Sequence, residues 1–174
     1  MNLTDRALAA FQRTMPIEEA DAHCDIPCGI YDPHGAQIAA LTVVRMVQLI
    51  QNLAKPDAGA PKEQVDAYLN SLARYVAVKE EHATLAKKEI LIIWTDYFRP
   101  EHAEKYPDLH DLVWKTMKLG SKAKQEINMD ASQELLAGVQ KIAEIFWETK
   151  GATTKRQSSL QTVGGELVYP VPAS

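Results

Sequence analysis

Residues 62–98, KEQVDAYLNSLARYVAVKEEHATLAKKEILIIWTDYF, decide the fold class, because the whole run passes without a glycine or a proline. Val65, Leu69, Leu72, Val76, Ala83, Ala86, Ile90, Ile93 and Tyr97 recur within it at spacings of three and four, with a turn skipped around Lys79. That period is the apolar stripe of an amphipathic helix, so the run reads as one long helix or as two stacked with a slight break. Pro100 stops it. Upstream, Ile38, Leu41, Val44, Val47 and Ile50 mark an earlier helix that ends at the loop 55–59, and Pro61 is placed to open the long one. Downstream, residues 101–106 read as a connector and Pro107 opens a third helix carrying Leu109, Leu112, Val113 and Met117, with Gly120 and Ser121 as a candidate interruption. Residues 128–130 offer caps for a fourth, whose apolar face is Leu135, Leu136, Val139, Ile142, Ala143 and Phe146, and Gly151 is a natural stop. The expected fold is all-α: an antiparallel four-helix bundle over residues 34–150, preceded by a metal-binding hook. Residues 151–174, with Gly164, Gly165, Pro170 and Pro172, read as a flexible C-terminal tail.

A chain of 174 residues has the size of one domain with a real core. No apolar run approaches the length of a membrane span, and a formal charge of -4 lacks the footprint of phosphate binding, so neither a membrane nor a nucleic-acid partner is expected. An anionic substrate would need positive charge placed locally. Residues 1–22 contain Asp5, Arg6, Arg13, Glu18, Glu19 and Asp21 and lack the continuous apolar stretch of a secretory signal. They read as a leader removed on maturation, and the expected location is cytoplasmic.

The chemistry is concentrated in one window, His23-Cys24-Asp25-Ile26-Pro27-Cys28-Gly29-Ile30-Tyr31-Asp32-Pro33, which holds both cysteines of the chain. Thiolates are soft donors that select soft or borderline metals. Three readings stand side by side. A zinc site would have His23, Cys24 and Cys28, with Asp25 a weak fourth ligand. A dithiol switch is possible in principle, although such pairs more often have two intervening residues than three. If cleavage made His23 the new N-terminus, its amine, the Cys24 amide and two thiolates could form a planar N2S2 set, which points to nickel(II) or copper(II).

The segment His23–Pro33 strongly resembles the nickel hook of nickel-dependent superoxide dismutases. Segments 93–100 (Ile93-Trp94-Thr95-Asp96-Tyr97-Phe98-Arg99-Pro100), 102–110 and 146–150 (Phe146-Trp147-Glu148-Thr149-Lys150) resemble that family as well, in order from about Ala22 to Lys150. The resemblance implies disproportionation of superoxide to dioxygen and hydrogen peroxide by a nickel ion cycling between Ni2+ and Ni3+. It implies cleavage before His23 by a processing peptidase and a homohexamer with each hook packed against neighbours. The metal ligands it implies are His23 (amine and axial imidazole), Cys24 (backbone nitrogen and sulfur) and Cys28 (sulfur), with a cis bond at Ile26–Pro27. Around them, Asp25 would hold the turn of the hook, Tyr31 would stand over the open face, and Tyr97 would support it from the bundle. Arg99 would attract the anion from a position where the family often has lysine.

Two positions depart from the family. A glutamate and an arginine tether the axial imidazole in well-known members, and the matching residues here are Ala39 and His82. A metal-bound imidazole normally has its second nitrogen held by a partner, so His82 is the candidate for part of that work. The other histidines, His34, His102 and His110, read as surface or structural groups, and Trp94, Trp114 and Trp147 as core or subunit contacts. The rival class is a non-catalytic nickel or copper carrier, which would not need Tyr31, Tyr97 and Arg99 around its metal.

Overall fold

Asp32 accepts the backbone N–H of His34, the first residue of the first helix, at 2.8 Å. The computed structural model describes residues 29–171. The leader and the hook residues His23, Cys24, Asp25 and Cys28, together with the Ile26–Pro27 bond, lie outside the described residues. Within them the chain is mostly helical: α1 (His34–Gln51), α2 (Lys62–Ile92), a π-helical turn (Ile93–Tyr97), α3 (Pro100–Lys105), α4 (Leu109–Gln125) and α5 (Met129–Thr149). Two strands follow, β1 (Thr153–Ser158) and β2 (Glu166–Val171). Among the described residues, no helix is long and apolar enough to cross a membrane.

Helix α1 packs against α2 and α5, and α4 packs against the same two helices, so four long helices surround one core. Ala36, Ala39 and Ala40 on α1 and Ala83 and Ala86 on α2 are all buried, and their small side chains let the two backbones come close. Leu109 and Val113 from α4, and Leu135, Val139 and Ile142 from α5, fill the rest. Asn128 caps α5 by accepting the Ala131 N–H at 2.9 Å. Gly151, at φ +76°, takes the left-handed conformation that ends it.

The gap in the apolar stripe at Lys79 is not a break. Helix α2 runs through it, and Lys79 is only 2% exposed because its ammonium donates to the carbonyls of Ala123 (2.7 Å) and Lys124 (2.5 Å). Those carbonyls sit in the last turn of α4, where they have no partner within the helix. Burial pushes this ammonium below the ordinary lysine value, against a smaller opposite pull from Glu80. Gly120 does not interrupt α4 either. A Cβ there would lie 2.8 Å from Cγ of Lys87, so the glycine marks a close approach to α2. The connector at residues 101–106 is largely helical, as α3.

The C-terminal tail is a correction. Residues 153–171 form an antiparallel hairpin with Arg156 opposite Val168 and Gln157 opposite Leu167, and Leu167 joins the main core. Gln37 of α1, 0% exposed, donates to the Val168 carbonyl at 3.0 Å and accepts its N–H at 2.7 Å. The side chain therefore pairs with the outer edge of β2 as a neighbouring strand would. Gln140 of α5 donates to the Glu166 carbonyl at 2.6 Å on the same strand. The sequence pattern hid this because β1, Thr-Thr-Lys-Arg-Gln-Ser, is polar throughout.

Gln37→Leu keeps the volume but leaves two buried backbone groups of β2 unpaired. Stability should fall by about 1–3 kcal/mol, with loss of amide protection across 166–170, read by thermal unfolding and hydrogen exchange. Unchanged protection there would show that the hairpin docks without this residue.

Candidate active site

Where α2 runs out, its last turn widens. Phe98 donates its N–H to the Ile93 carbonyl at 3.0 Å, five residues back, which makes 93–97 a π turn. Such turns are uncommon and often sit at functional sites. This one delivers Tyr97 into a dense aromatic group. Its ring centroid lies 4.6 Å from Phe146, 5.4 Å from Phe98, 5.6 Å from Tyr31 and 5.6 Å from His102, the last nearly parallel at 21°. The ammonium of Lys150 sits 5.3 Å from the same centroid and 5.1 Å from that of Phe146, within range of a cation–π contact.

Tyr31, Tyr97 and Arg99 line a single cavity of about 280 Å³ with Gly29, Asp96 and His102. The chain enters at Gly29, whose φ of +72° is a conformation glycine adopts without strain. Cys28 is the residue before it. The last thiol of the hook is thus one peptide bond from the cavity wall. Arg99 is exposed, in extended backbone just ahead of α3. Its N–H donates to His102 Nδ1 at 3.2 Å, so that nitrogen is an acceptor and the ring proton of neutral His102 sits on Nε2.

The structure therefore brings together three of the expected site residues, Tyr31, Tyr97 and Arg99. It does not bring His82 with them. His82 is fifteen residues before Tyr97 on the same helical run, on the order of 20 Å along the axis. Its Nδ1 lies 2.9 Å from the Val78 carbonyl, which can only accept, so Nδ1 carries the proton and Nε2 is left as an acceptor. Ala39, 1% exposed, is a core residue of α1. Sequence reasoning gave no role to Asp96 and treated His102 as surface or structural. Asp96 sits in a turn type that periodicity does not reveal. The signals for His102 were its place in a segment resembling the family and its position three residues after Arg99, where a side chain can reach back to a helix N-cap.

Among the described residues, no group of three or more His, Cys, Asp and Glu side chains could hold a metal ion. Both thiols of the chain are at 24 and 28. A sequence model of the family described as nickel-containing superoxide dismutase matches residues 18–150. The chain belongs to that family. Its reaction is the dismutation of superoxide, and its cofactor is nickel.

The nickel superoxide dismutase of Streptomyces coelicolor is 41% identical over 137 residues, which are 79% of this chain and 95% of the relative. That of Streptomyces seoulensis is 39% identical over 137 residues, with the same coverage. Among solved structures, native nickel superoxide dismutase superposes with a TM-score of 0.63 at 38% identity, covering 74% of this chain and 99% of the other. A nickel superoxide dismutase with nickel ligation corresponding to the oxidised state gives 0.63 at 38% identity, covering 75% and 100%. The family match ends at residue 150, just before the hairpin. The chain's two thiols suit the cofactor, because thiolate donors select soft or borderline metals such as nickel over hard cations.

Charge at the cavity mouth makes the next test. Arg99→Glu should slow superoxide consumption roughly 3- to 10-fold at low salt and flatten its dependence on ionic strength, as followed by stopped-flow decay. An unaltered salt dependence would remove Arg99 from substrate attraction.

Proposed function

We propose that the active form of this dismutase begins at His23, and that residues 23–33 are the hook which carries the metal to the Tyr31–Tyr97 cavity. The observation that carries this reading is the position of Gly29 and Tyr31 in that cavity, directly after Cys28, opposite Tyr97 and Arg99. A processing peptidase removes the leader 1–22. Nickel would then be held by the His23 amine and imidazole, the Cys24 backbone nitrogen and thiolate, and the Cys28 thiolate. When bound, nickel supplies a one-electron couple, Ni2+/Ni3+, poised between the two half-reactions of superoxide.

The chain's own residues do the rest. Arg99 draws the anion toward an otherwise acidic protein. Tyr31 and Tyr97 narrow the approach so that small molecules enter and larger ones do not. Asp25 holds the turn of the hook by hydrogen bonding within it. Peroxide leaves with two protons, for which solvent, a hook thiol and the Tyr31 hydroxyl are the candidate donors.

The scaffold at residues 34–150 is read as an antiparallel four-helix bundle, and the working assembly as a homohexamer in the cytoplasm. Exposed apolar side chains support association. Leu69 is 54% and Trp114 60% exposed, and the first half of α2 has no buried residue before Lys79. His82 is proposed as the partner of the His23 imidazole through its Nε2, since its Nδ1 is taken by the Val78 carbonyl. Six residues from Gly29 to His23 span at most about 20 Å, so that contact requires an extended hook or a second chain.

Two outcomes test the proposal. Protein beginning at His23 should take up about one nickel per chain and dismutate superoxide, whereas the 174-residue form should do neither, because Ala22 turns the amine into an ordinary amide. Mass spectrometry that finds residues 1–22 attached to fully active protein would contradict it. His82→Ala should weaken the hold of the His23 imidazole on nickel, seen as an altered hyperfine splitting in the electron paramagnetic resonance spectrum, with turnover lowered several-fold. Unchanged splitting and turnover would remove His82 from the mechanism.

A further inference from the structure

The hydroxyl of Tyr97 lies 2.8 Å from Oγ1 of Thr149, the last residue of α5. Taken alone, that contact leaves the direction of the proton open. A second contact fixes it. Thr149 Oγ1 is also 2.6 Å from the carbonyl of Phe146, one turn back on its own helix. A carbonyl can only accept, and a threonine hydroxyl has a single proton to give. Thr149 gives it to Phe146. Tyr97 must then be the donor in the other contact, and its phenolic proton points at α5.

The ring cannot evade this by turning. His102 is stacked on it, Phe146, Phe98 and Tyr31 flank it, and Lys150 sits over it. Thr149 is not among the residues that line the cavity, whereas Tyr97 is. We propose that Thr149 is a positioning residue that turns the phenolic proton of Tyr97 out of the cavity, leaving Tyr97 as a hydrogen-bond acceptor toward the proton-bearing groups that enter there. The inference rests on the reading of this cavity as the place where superoxide meets the hook. It divides the two tyrosines by role: Tyr97 turns a lone pair to the cavity and accepts only from proton-bearing groups such as solvent water, since superoxide has no proton to give, and protons destined for peroxide come by another route.

The test uses the whole chain and two variants, Thr149→Val and Thr149→Ser. Valine keeps the shape and removes the hydroxyl, whereas serine keeps the hydroxyl and removes the methyl. With tyrosine labelled by carbon-13 at Cζ, the Tyr97 resonance (assigned through Tyr97→Phe) reports whether its hydroxyl donates. This readout needs no bound metal. In the unaltered chain it should show a donating phenol. It should move in the valine variant and return to its original place in the serine variant. In nickel-loaded processed protein, kcat/KM should fall about 3- to 10-fold with valine and stay within about twofold with serine, the factor expected for one lost orienting contact.

A Tyr97 resonance in the unaltered chain that lacks the donor signature would overturn the proposal, even if the valine variant did not fold. So would a serine variant as impaired as the valine one, since that would assign the effect to the lost methyl. Absence of dismutation in every form, with the resonance behaving as expected, would leave the proton assignment standing and defeat the functional reading instead.

Discussion

The contact between the Tyr97 ring and Phe146 is the constraint on which the rest of the site depends. It joins the end of α2 to the end of α5, two segments far apart in sequence, at a centroid separation of 4.6 Å. Phe146 is fully buried in the core, so it gives Tyr97 a fixed wall. A regular α-helical turn through 93–97 would rotate residue 97 about its axis, since each residue of an α-helix adds about 100°. The π turn inserts the extra backbone that faces the ring toward α5 while Ile93 stays buried in the core. From that anchor the remaining positions follow. His102 stacks on the ring, Arg99 is held ahead of it through its N–H, and Tyr31 leans across from the hook side.

A metal held by a few consecutive residues near a chain end needs this kind of wall. In the proposed reading the hook residues would supply donor atoms, but a six-residue segment has little apolar surface with which to exclude water. The π turn and the start of α3, backed by Phe146 of α5, supply the rim, and the chain reaches it through Gly29, where a side chain would meet nothing. The proposed division of labour between a soft ligand set and an aromatic cavity suits the reaction. Superoxide is small and anionic, so access can be narrow and one or two cations are enough to attract it.

Much of this was legible in residue order, and the limits have physical causes. The Pro- and Gly-free run through α2 announced its helix, and the thiol pair after His23 announced soft-metal chemistry. Tyr31, Tyr97 and Arg99 were legible only through resemblance to a family, since nothing in their spacing says that they meet. Lys79 looked like a fault in a stripe because sequence cannot show that two helix-end carbonyls await an ammonium across the core. Thr149 was invisible for a similar reason, being 52 residues from its phenol. The hairpin after residue 152 was missed because one strand is wholly polar and the other is short and contains Pro170, so neither carries a clear alternation. Its docking relies on glutamine side chains that act as strand edges, a use no pattern rule anticipates.

The hairpin also sets this chain apart from the matched region of its family, which stops at residue 150. It ties α1 to α5 beside the root of the hook, with the Tyr169 ring 5.7 Å from that of His34. In the proposed function nickel is bound through sulfur from Cys24 and Cys28. Nickel K-edge X-ray absorption on the loaded, processed protein addresses that point most directly. Two sulfur scatterers per nickel, both lost when the two cysteines are replaced by serine, is the result the account predicts. A first shell of nitrogen and oxygen alone, in protein that dismutates superoxide at full rate, would contradict it.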